Sequence, residues 1–139
     1  MTWIDRFRQH DWNSRWKNSV VAVVLIAIGG FFGANARYGL GLLYPGLPST
    51  FIANVTGSFL LGIIVYESIY TGYVSEQSRL LISTGVLSSY TTYSTFAYET
   101  VTVEPLLSLV NVTATYAFGF GGVVTGRWIA LQIRGASYD

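Results

Sequence analysis

Gly85-Val-Leu-Ser-Ser-Tyr-Thr-Thr-Tyr-Ser-Thr-Phe96 decides how the chain is to be read. Ser88, Ser89, Thr91, Thr92, Ser94 and Thr95 crowd hydroxyls into a segment that is otherwise apolar. Such a run is out of place on a lipid-facing helix, because hydrocarbon offers no partner to a hydroxyl or to loosened backbone. The stretch implies polar groups placed at membrane depth, either inside protein or beside a water- or ion-filled path.

The residues around it are apolar enough to make a membrane the setting. The 139-residue chain is 51% hydrophobic and 11% charged, with a mean hydropathy of +0.44. A soluble domain carries about 25% charged residues, more than twice this share, so composition places the chain in the membrane class. Cysteine is absent and His10 is the single histidine. Thiolate metal sites and His-based catalytic triads therefore have no raw material, and an enzyme is not expected. The net charge of +1 comes without a basic stripe, which gives no basis for nucleic-acid binding.

Four hydrophobic segments are expected to cross the bilayer: Ser19–Leu43, Thr50–Thr71, Arg79–Tyr98 and Pro105–Leu131. Each is near the ~20 residues that span a hydrocarbon core. Tyr44-Pro-Gly-Leu-Pro48 is a turn signal, and 72–78 and 99–104 hold much of the remaining charge. The domain reading is a polar N-terminal tail over 1–18, an all-helical membrane domain over 19–131 and a C-terminal tail over 132–139. In the first tail, Trp3 and Phe7, then Trp12 and Trp16, recur at four-residue spacing between Arg6, Arg8, Arg15 and Lys17. That pattern suits an amphipathic helix at the lipid headgroups, with a loosely ordered tail as the alternative.

Four crossings put both termini and the middle loop on one side. That side holds Arg6, Arg8, Arg15, Lys17, Arg79, Arg127 and Arg134, against Arg37 on the other. The positive-inside rule then places both termini in the cytoplasm of a multi-pass cell-membrane protein.

Small residues mark where helices approach. Gly29, Gly30, Gly33 and Ala34 lie in the first span, Gly57, Ser58 and Gly62 in the second, and Gly119, Gly121, Gly122 and Gly126 in the fourth. Helix packing is their expected role. Four helices cannot bury all these faces and also enclose a pore, so an oligomer is expected.

Three polar features stand out. Arg37, at or near the end of the first span, either snorkels to the headgroups or sets a positive potential at the mouth of an anion path. Asn54 either clamps two helices together or offers neutral amide donors to an anion. Tyr93 and Phe96, three apart on one helical face, can aim positive ring edges into a narrow path. The Ser/Thr cluster before them would loosen the helix and free carbonyls suited to a small hard cation. The alternative is a kinked, hydroxyl-rich packing helix. On the fourth span, Asn111 and Thr115 share a face and offer a neutral polar track.

Three motifs then resemble a known family. Gly29-Gly-Phe-Phe-Gly-Ala-Asn-Ala-Arg-Tyr38 is similar to the GGxxGAxxRY signature of the CrcB/Fluc fluoride channels. Asn54-Val-Thr-Gly-Ser-Phe-Leu-Leu-Gly62 resembles their NxxGSFxxG motif, and Thr91-Thr-Tyr-Ser-Thr-Phe96 their TTFSTF motif. The resemblance implies an antiparallel dimer of four-helix subunits with a broken third helix, a central structural Na⁺ and two narrow fluoride pores. Carried over by motif, Asn54, Tyr93, Phe96, Ser94, Thr95 and Thr115 would line the pore. The carbonyls of Ser88 and Thr91 would hold Na⁺, and Arg37 would be the first-helix arginine.

The chain departs from that pattern where Gly-Gly is usual before the Thr pair, having Ser88-Ser89-Tyr90, and at Tyr93, where Phe is usual. Its seven-to-one Lys/Arg bias also opposes the dual insertion an antiparallel homodimer needs. A partner of opposite bias, an oppositely oriented homologue, is the expectation that follows; self-pairing is the alternative. The implied activity is passive export of cytoplasmic fluoride. A small multidrug transporter would need an acidic residue in the first span, and 19–43 has none. A non-conducting or partner-dependent subunit of the same fold is the remaining rival.

Overall fold

The computed structural model describes the backbone of residues 3–70 and 72–136, and the side chains of residues 18–70 and 72–133. Among the described residues the regular structure is all helical. Helix α1 spans Trp3–Leu43 and α2 spans Leu47–Tyr70. A short α3, Glu76–Arg79, runs into a π-helical stretch, Leu80–Leu87, and then into α4, Ser88–Tyr90. After extended backbone at Thr91 and Thr92 come α5, Tyr93–Thr102, and α6, Pro105–Ala136.

Three helices are long and apolar enough to cross a membrane, over Asn18–Leu43, Leu47–Tyr70 and Pro105–Ile133. The fourth expected crossing, Arg79–Tyr98, is divided among shorter pieces, because the backbone leaves the helix at Thr91 and Thr92. The expected boundaries at 18/19 and 131/132 fall within α1 and α6, which run through them. The interfacial reading of Trp3, Phe7, Trp12 and Trp16 concerns side chains outside the described residues.

Glycines set which helices touch. A Cβ at Gly29 would collide with the Leu81 carbonyl, and one at Gly33 with the Val86 carbonyl. So α1 lies backbone to backbone against the π-helical stretch, and Gly85 reciprocates with its own approach to Gly29. A π-helix is a rare, widened coil that recurs at functional sites. Gly62 meets the backbone of Val123, while Gly122 and Gly126 meet the backbone around Val55, Phe59 and Ile63. That seam joins α2 to α6. Gly57 faces the side chain of Thr91 and brings α2 against the end of α4.

The turns follow from local chemistry. Gly46, at φ +78°, takes a conformation that side chains resist, and Ser49 caps it by donating both its N–H and its Oγ to the Gly46 carbonyl. Beyond α2, Glu67 accepts the N–H groups of Tyr73 and Val74 on Oε1, at 2.7 and 3.1 Å. This buried carboxylate staples the 72–74 backbone to the helix.

Burial is inverted relative to a water-soluble domain. Among the described residues only Ala53, Leu87, Phe96 and Ala130 are buried apolar side chains. Phe31, Phe32, Leu43, Leu106, Phe118, Phe120 and many others face outward. Apolar surface on this scale marks contact with lipid or another protein.

Candidate functional site

The site grows out of the interruption between α4 and α5. Thr91 is extended (φ −77°, ψ 157°) and so is Thr92 (φ −151°, ψ 125°). In an unbroken helix the N–H of Thr92 would bond the Ser88 carbonyl, and that of Thr95 the Thr91 carbonyl. Here Thr92 N–H donates instead to Asn54 Oδ1 at 2.8 Å. Thr95 N–H donates to Thr92 Oγ1 at 3.2 Å, which makes Thr92 the N-cap of α5. The carbonyls of Ser88 and Thr91 thus lose their helical donors. Carbonyl oxygens without helical donors are ligands of the kind a small hard cation takes, so these two residues are compatible in chemistry with the Na⁺ that the family resemblance implies.

Asn54 completes the exchange by donating Nδ2–H to the Thr92 carbonyl at 3.0 Å. One Nδ2 hydrogen and one oxygen are committed to the break; the second Nδ2 hydrogen remains as a donor. Tyr90, the last residue of α4, adds a second link by meeting Thr56 Oγ1 through its hydroxyl at 3.1 Å.

A cleft of about 520 Å³ opens beside the break, between α2, α6 and the α4–α5 segment. Asn54, Gly57, Ser58, Ser83, Ser88, Thr91, Thr92 and Thr115 supply its polar wall. Tyr93, Phe96, Tyr116 and Phe120 supply a run of rings. Phe96 is buried, with its centroid 6.1 Å from those of both Tyr93 and Tyr116. The Tyr116 contact is edge to face, at 85°. Tyr93 is 74% exposed and projects outward from the start of α5. Thr115 Oγ1 and Ser83 Oγ are buried without a hydrogen-bond partner.

The structure therefore gathers Asn54, Ser88, Thr91, Tyr93, Phe96 and Thr115 around one cleft. It does not bring Ser94, Thr95 or Arg37 to the same wall. Ser94 and Thr95 sit in the first turn of α5, their hydroxyls 3.4 and 3.1 Å from Thr92 Oγ1. Arg37 is half-buried on α1 and makes no hydrogen bond or ion pair among the described residues. Asn111 and Thr115 separate in role. Asn111 donates to Thr100 Oγ1 at 2.8 Å and is not among the cleft-lining residues, while Thr115 lies on the cleft wall.

Of the expected packing glycines, Gly29, Gly33, Gly57 and Gly62 are all in close backbone or side-chain contact, and a Cβ added at Gly30 would lie 3.2 Å from Ser89 Oγ. Thr92, Tyr116 and Phe120 also line the cleft, beyond the residues expected from the sequence. Thr92 carried a signal, an N-cap hydroxyl three residues before Thr95 at a helix start. Tyr116 and Phe120 carried another, two aromatics at i, i+4 on one face.

Comparison with known proteins places the chain. Residues 24–127 match the model of the family described as CrcB-like protein, Camphor Resistance (CrcB). The chain belongs to the CrcB-like family. Among its relatives is the fluoride-specific ion channel FluC 1 of Haloarcula marismortui, 47% identical over 117 residues, covering 84% of this chain and 91% of the relative. FluC 1 of Natronomonas pharaonis is 49% identical over 108 residues, covering 76% and 91%. FluC 2 of Halobacterium salinarum is 44% identical over 115 residues, covering 82% and 90%. The matched span of this CrcB-like chain contains every residue placed on the cleft.

Proposed function

We propose that the chain is a subunit of a fluoride-selective channel that lets cytoplasmic fluoride leave the cell down its gradient. The observation that carries this reading is the cleft at the break. It sets neutral donors and aromatic rings side by side, with no charged side chain among its lining residues. The relatives named as fluoride-specific channels supply the ion.

The arrangement suits a strongly hydrated small anion. Asn54 offers its remaining amide hydrogen, Thr115 a hydroxyl without a protein partner, and Tyr93 and Phe96 their positively polarised ring edges. Each replaces part of the hydration shell without a full opposite charge, so the ion is held strongly enough to enter and weakly enough to leave. Ser94 and Thr95 act one step back, by fixing the first turn of α5 through Thr92. Arg37 contributes positive potential toward one mouth.

In this reading residues 79–98 make the fourth crossing, broken at Thr91 and Thr92, and both termini face the cytoplasm across the cell membrane. Irregular backbone at membrane depth is tolerated where protein or a polar path satisfies it, and Asn54 does so here. The carbonyls of Ser88 and Thr91 would hold a structural Na⁺. When bound, that ion would supply fixed positive charge and satisfy the two released acceptors. The open cleft and apolar outer faces suit an antiparallel dimer in which a second subunit closes the path. The Lys/Arg bias favours a homologue inserted the other way as that second subunit. Methanosarcina acetivorans has two relatives named FluC 1 and FluC 2, which is in keeping with such pairing.

Reconstitution into liposomes tests the function. Fluoride efflux is read with an electrode, with chloride as control, for this chain alone and with a homologue of opposite bias. Selective fluoride efflux in either preparation, abolished by Phe96→Ile in a correctly assembled protein, is expected. Undiminished efflux through Phe96→Ile would overturn the pore assignment, and no efflux in either preparation would overturn the function.

A further inference from the structure

Helix α5 carries two of the four cleft rings, Tyr93 and Phe96, yet it is only ten residues long and hinged at each end. Thr91 and Thr92 are extended before it, and Val103 is extended after it (φ −102°, ψ 171°). A helix that short has little stability of its own, so its direction is set by whatever holds it. Asn54 holds the N-terminal end through Thr92. The other end is held from α6. Asn111 Nδ2 donates to Thr100 Oγ1 at 2.8 Å, and Thr100 Oγ1 donates to the Phe96 carbonyl at 2.7 Å.

We propose that Asn111 and Thr100 are a positioning pair for Phe96, an inference that rests on the channel reading above. Asn111 is 8% exposed while its neighbours Leu109 and Val110 are 64% and 53% exposed, so this amide is turned inward from an otherwise outward-facing stretch. Phe96 and Thr100 are four apart and share one helical face. A lateral shift at Thr100 therefore tilts the ring of Phe96 in the cleft. Ser108 reinforces the same point by donating to the Thr100 carbonyl from the start of α6. Neither Asn111 nor Thr100 lines the cleft, so neither meets the ion. Their effect passes through the angle at which α5 presents Phe96.

The test is fluoride and chloride efflux from liposomes carrying Thr100→Val, Thr100→Ser, Asn111→Ala and the double variant Thr100→Val/Asn111→Ala. All are compared at equal oligomeric state in the preparation where wild type conducts. Thr100→Val keeps the side chain's shape and removes its hydroxyl, so it carries the test even if Asn111→Ala fails to assemble. Thr100→Val and Asn111→Ala are each expected to slow fluoride efflux about fivefold, the rate equivalent of one net hydrogen bond, and to narrow the preference for fluoride over chloride. Thr100→Ser should match wild type, and the double variant should be no worse than either single one, as for one shared interaction. Wild-type rate and selectivity in Thr100→Val would overturn the proposal, as would a Thr100→Ser variant as impaired as Thr100→Val. Phe96→Ile run beside them separates two failures. If it abolishes efflux while Thr100→Val does not slow it, only the positioning pair is lost; if it conducts normally, the pore reading itself is lost.

Discussion

The side-chain amide of Asn54 and the backbone of Thr92 exchange two hydrogen bonds, Nδ2–H to the Thr92 carbonyl at 3.0 Å and Thr92 N–H to Oδ1 at 2.8 Å. An asparagine is matched to this task, since its amide presents one donor and one acceptor with the spacing of a peptide group. The pair gives both backbone groups of Thr92 a partner where the chain leaves helical geometry.

Asn54→Ala removes both bonds and leaves Thr92 unpaired in a largely buried setting. The expected cost is about 1–3 kcal/mol, read as a lower thermal midpoint in detergent together with loss of fluoride efflux. Asn54→Asp keeps the acceptor for Thr92 N–H but turns an oxygen toward the Thr92 carbonyl and adds negative charge to the cleft. It should lose efflux as fully as Asn54→Ala. An unchanged midpoint in Asn54→Ala would count against the clamp.

That dual engagement also marks what the sequence could convey. The Ser/Thr run at 88–95 declared an interruption, because so many hydroxyls have no place on a lipid-facing helix. The glycines of 29–33 and 57–62 declared close approach, and the structure has Gly33 against Val86 and Gly62 against Val123. What stayed illegible is which donor pairs with which acceptor. Clamp and ion donor were both open for Asn54 because an amide side chain is the same in either role. The link from Asn111 to Thr100 escaped for a different reason. Spacing along α6 groups Asn111 with Thr115, and only the path of α5 across α6 shows that the amide turns to Thr100.

Glycine substitutions separate packing from flexibility. A Cβ at Gly33 would strike the Val86 carbonyl, and backbone cannot move aside as a side-chain tip can. Gly33→Ala should cost about 1–3 kcal/mol through overpacking between α1 and the π-helical stretch. Gly39, on the same helix, has nothing within 4 Å of the added atom. There Ala should be neutral or gain up to ~1 kcal/mol from helix propensity. Thermal unfolding of the two variants in one detergent checks the contrast, and equal losses would refute the seam.

Tyr93 is the position where a hydroxyl stands in place of the family's usual phenylalanine. The ring is 74% exposed, and its hydroxyl makes no hydrogen bond among the described residues. Tyr93→Phe should therefore leave thermal stability unchanged, within about 0.5 kcal/mol, as for other surface changes. If the ring edge is the functional part, fluoride efflux persists in Tyr93→Phe and falls in Tyr93→Ile. Loss of efflux in Tyr93→Phe would instead assign the hydroxyl as a donor to the ion.

Orientation gives the last test, because charge and structure converge on one end of the molecule. Arg79 donates to Ser68 Oγ at 2.6 Å, and the Arg127 guanidinium lies 5.4 Å from the centre of the Tyr66 ring. Both arginines thus gather at the C-terminal end of α2, opposite the Gly46 turn. On the proposed four-crossing topology they join the basic residues before Asn18 and Arg134 on the majority side of a seven-to-one Lys/Arg distribution. By the positive-inside rule, the proposed cytoplasmic face is that side. Reporter fusions at the C-terminus should report a cytoplasmic location alone. Replacing Arg79 and Arg127 by Gln weakens the bias and should yield a measurable inverted population. A fixed orientation means two copies of this chain cannot pair antiparallel, so fluoride efflux would then require the oppositely inserted homologue. Equal reporter signals from both faces in the unmodified chain would restore the homodimer instead.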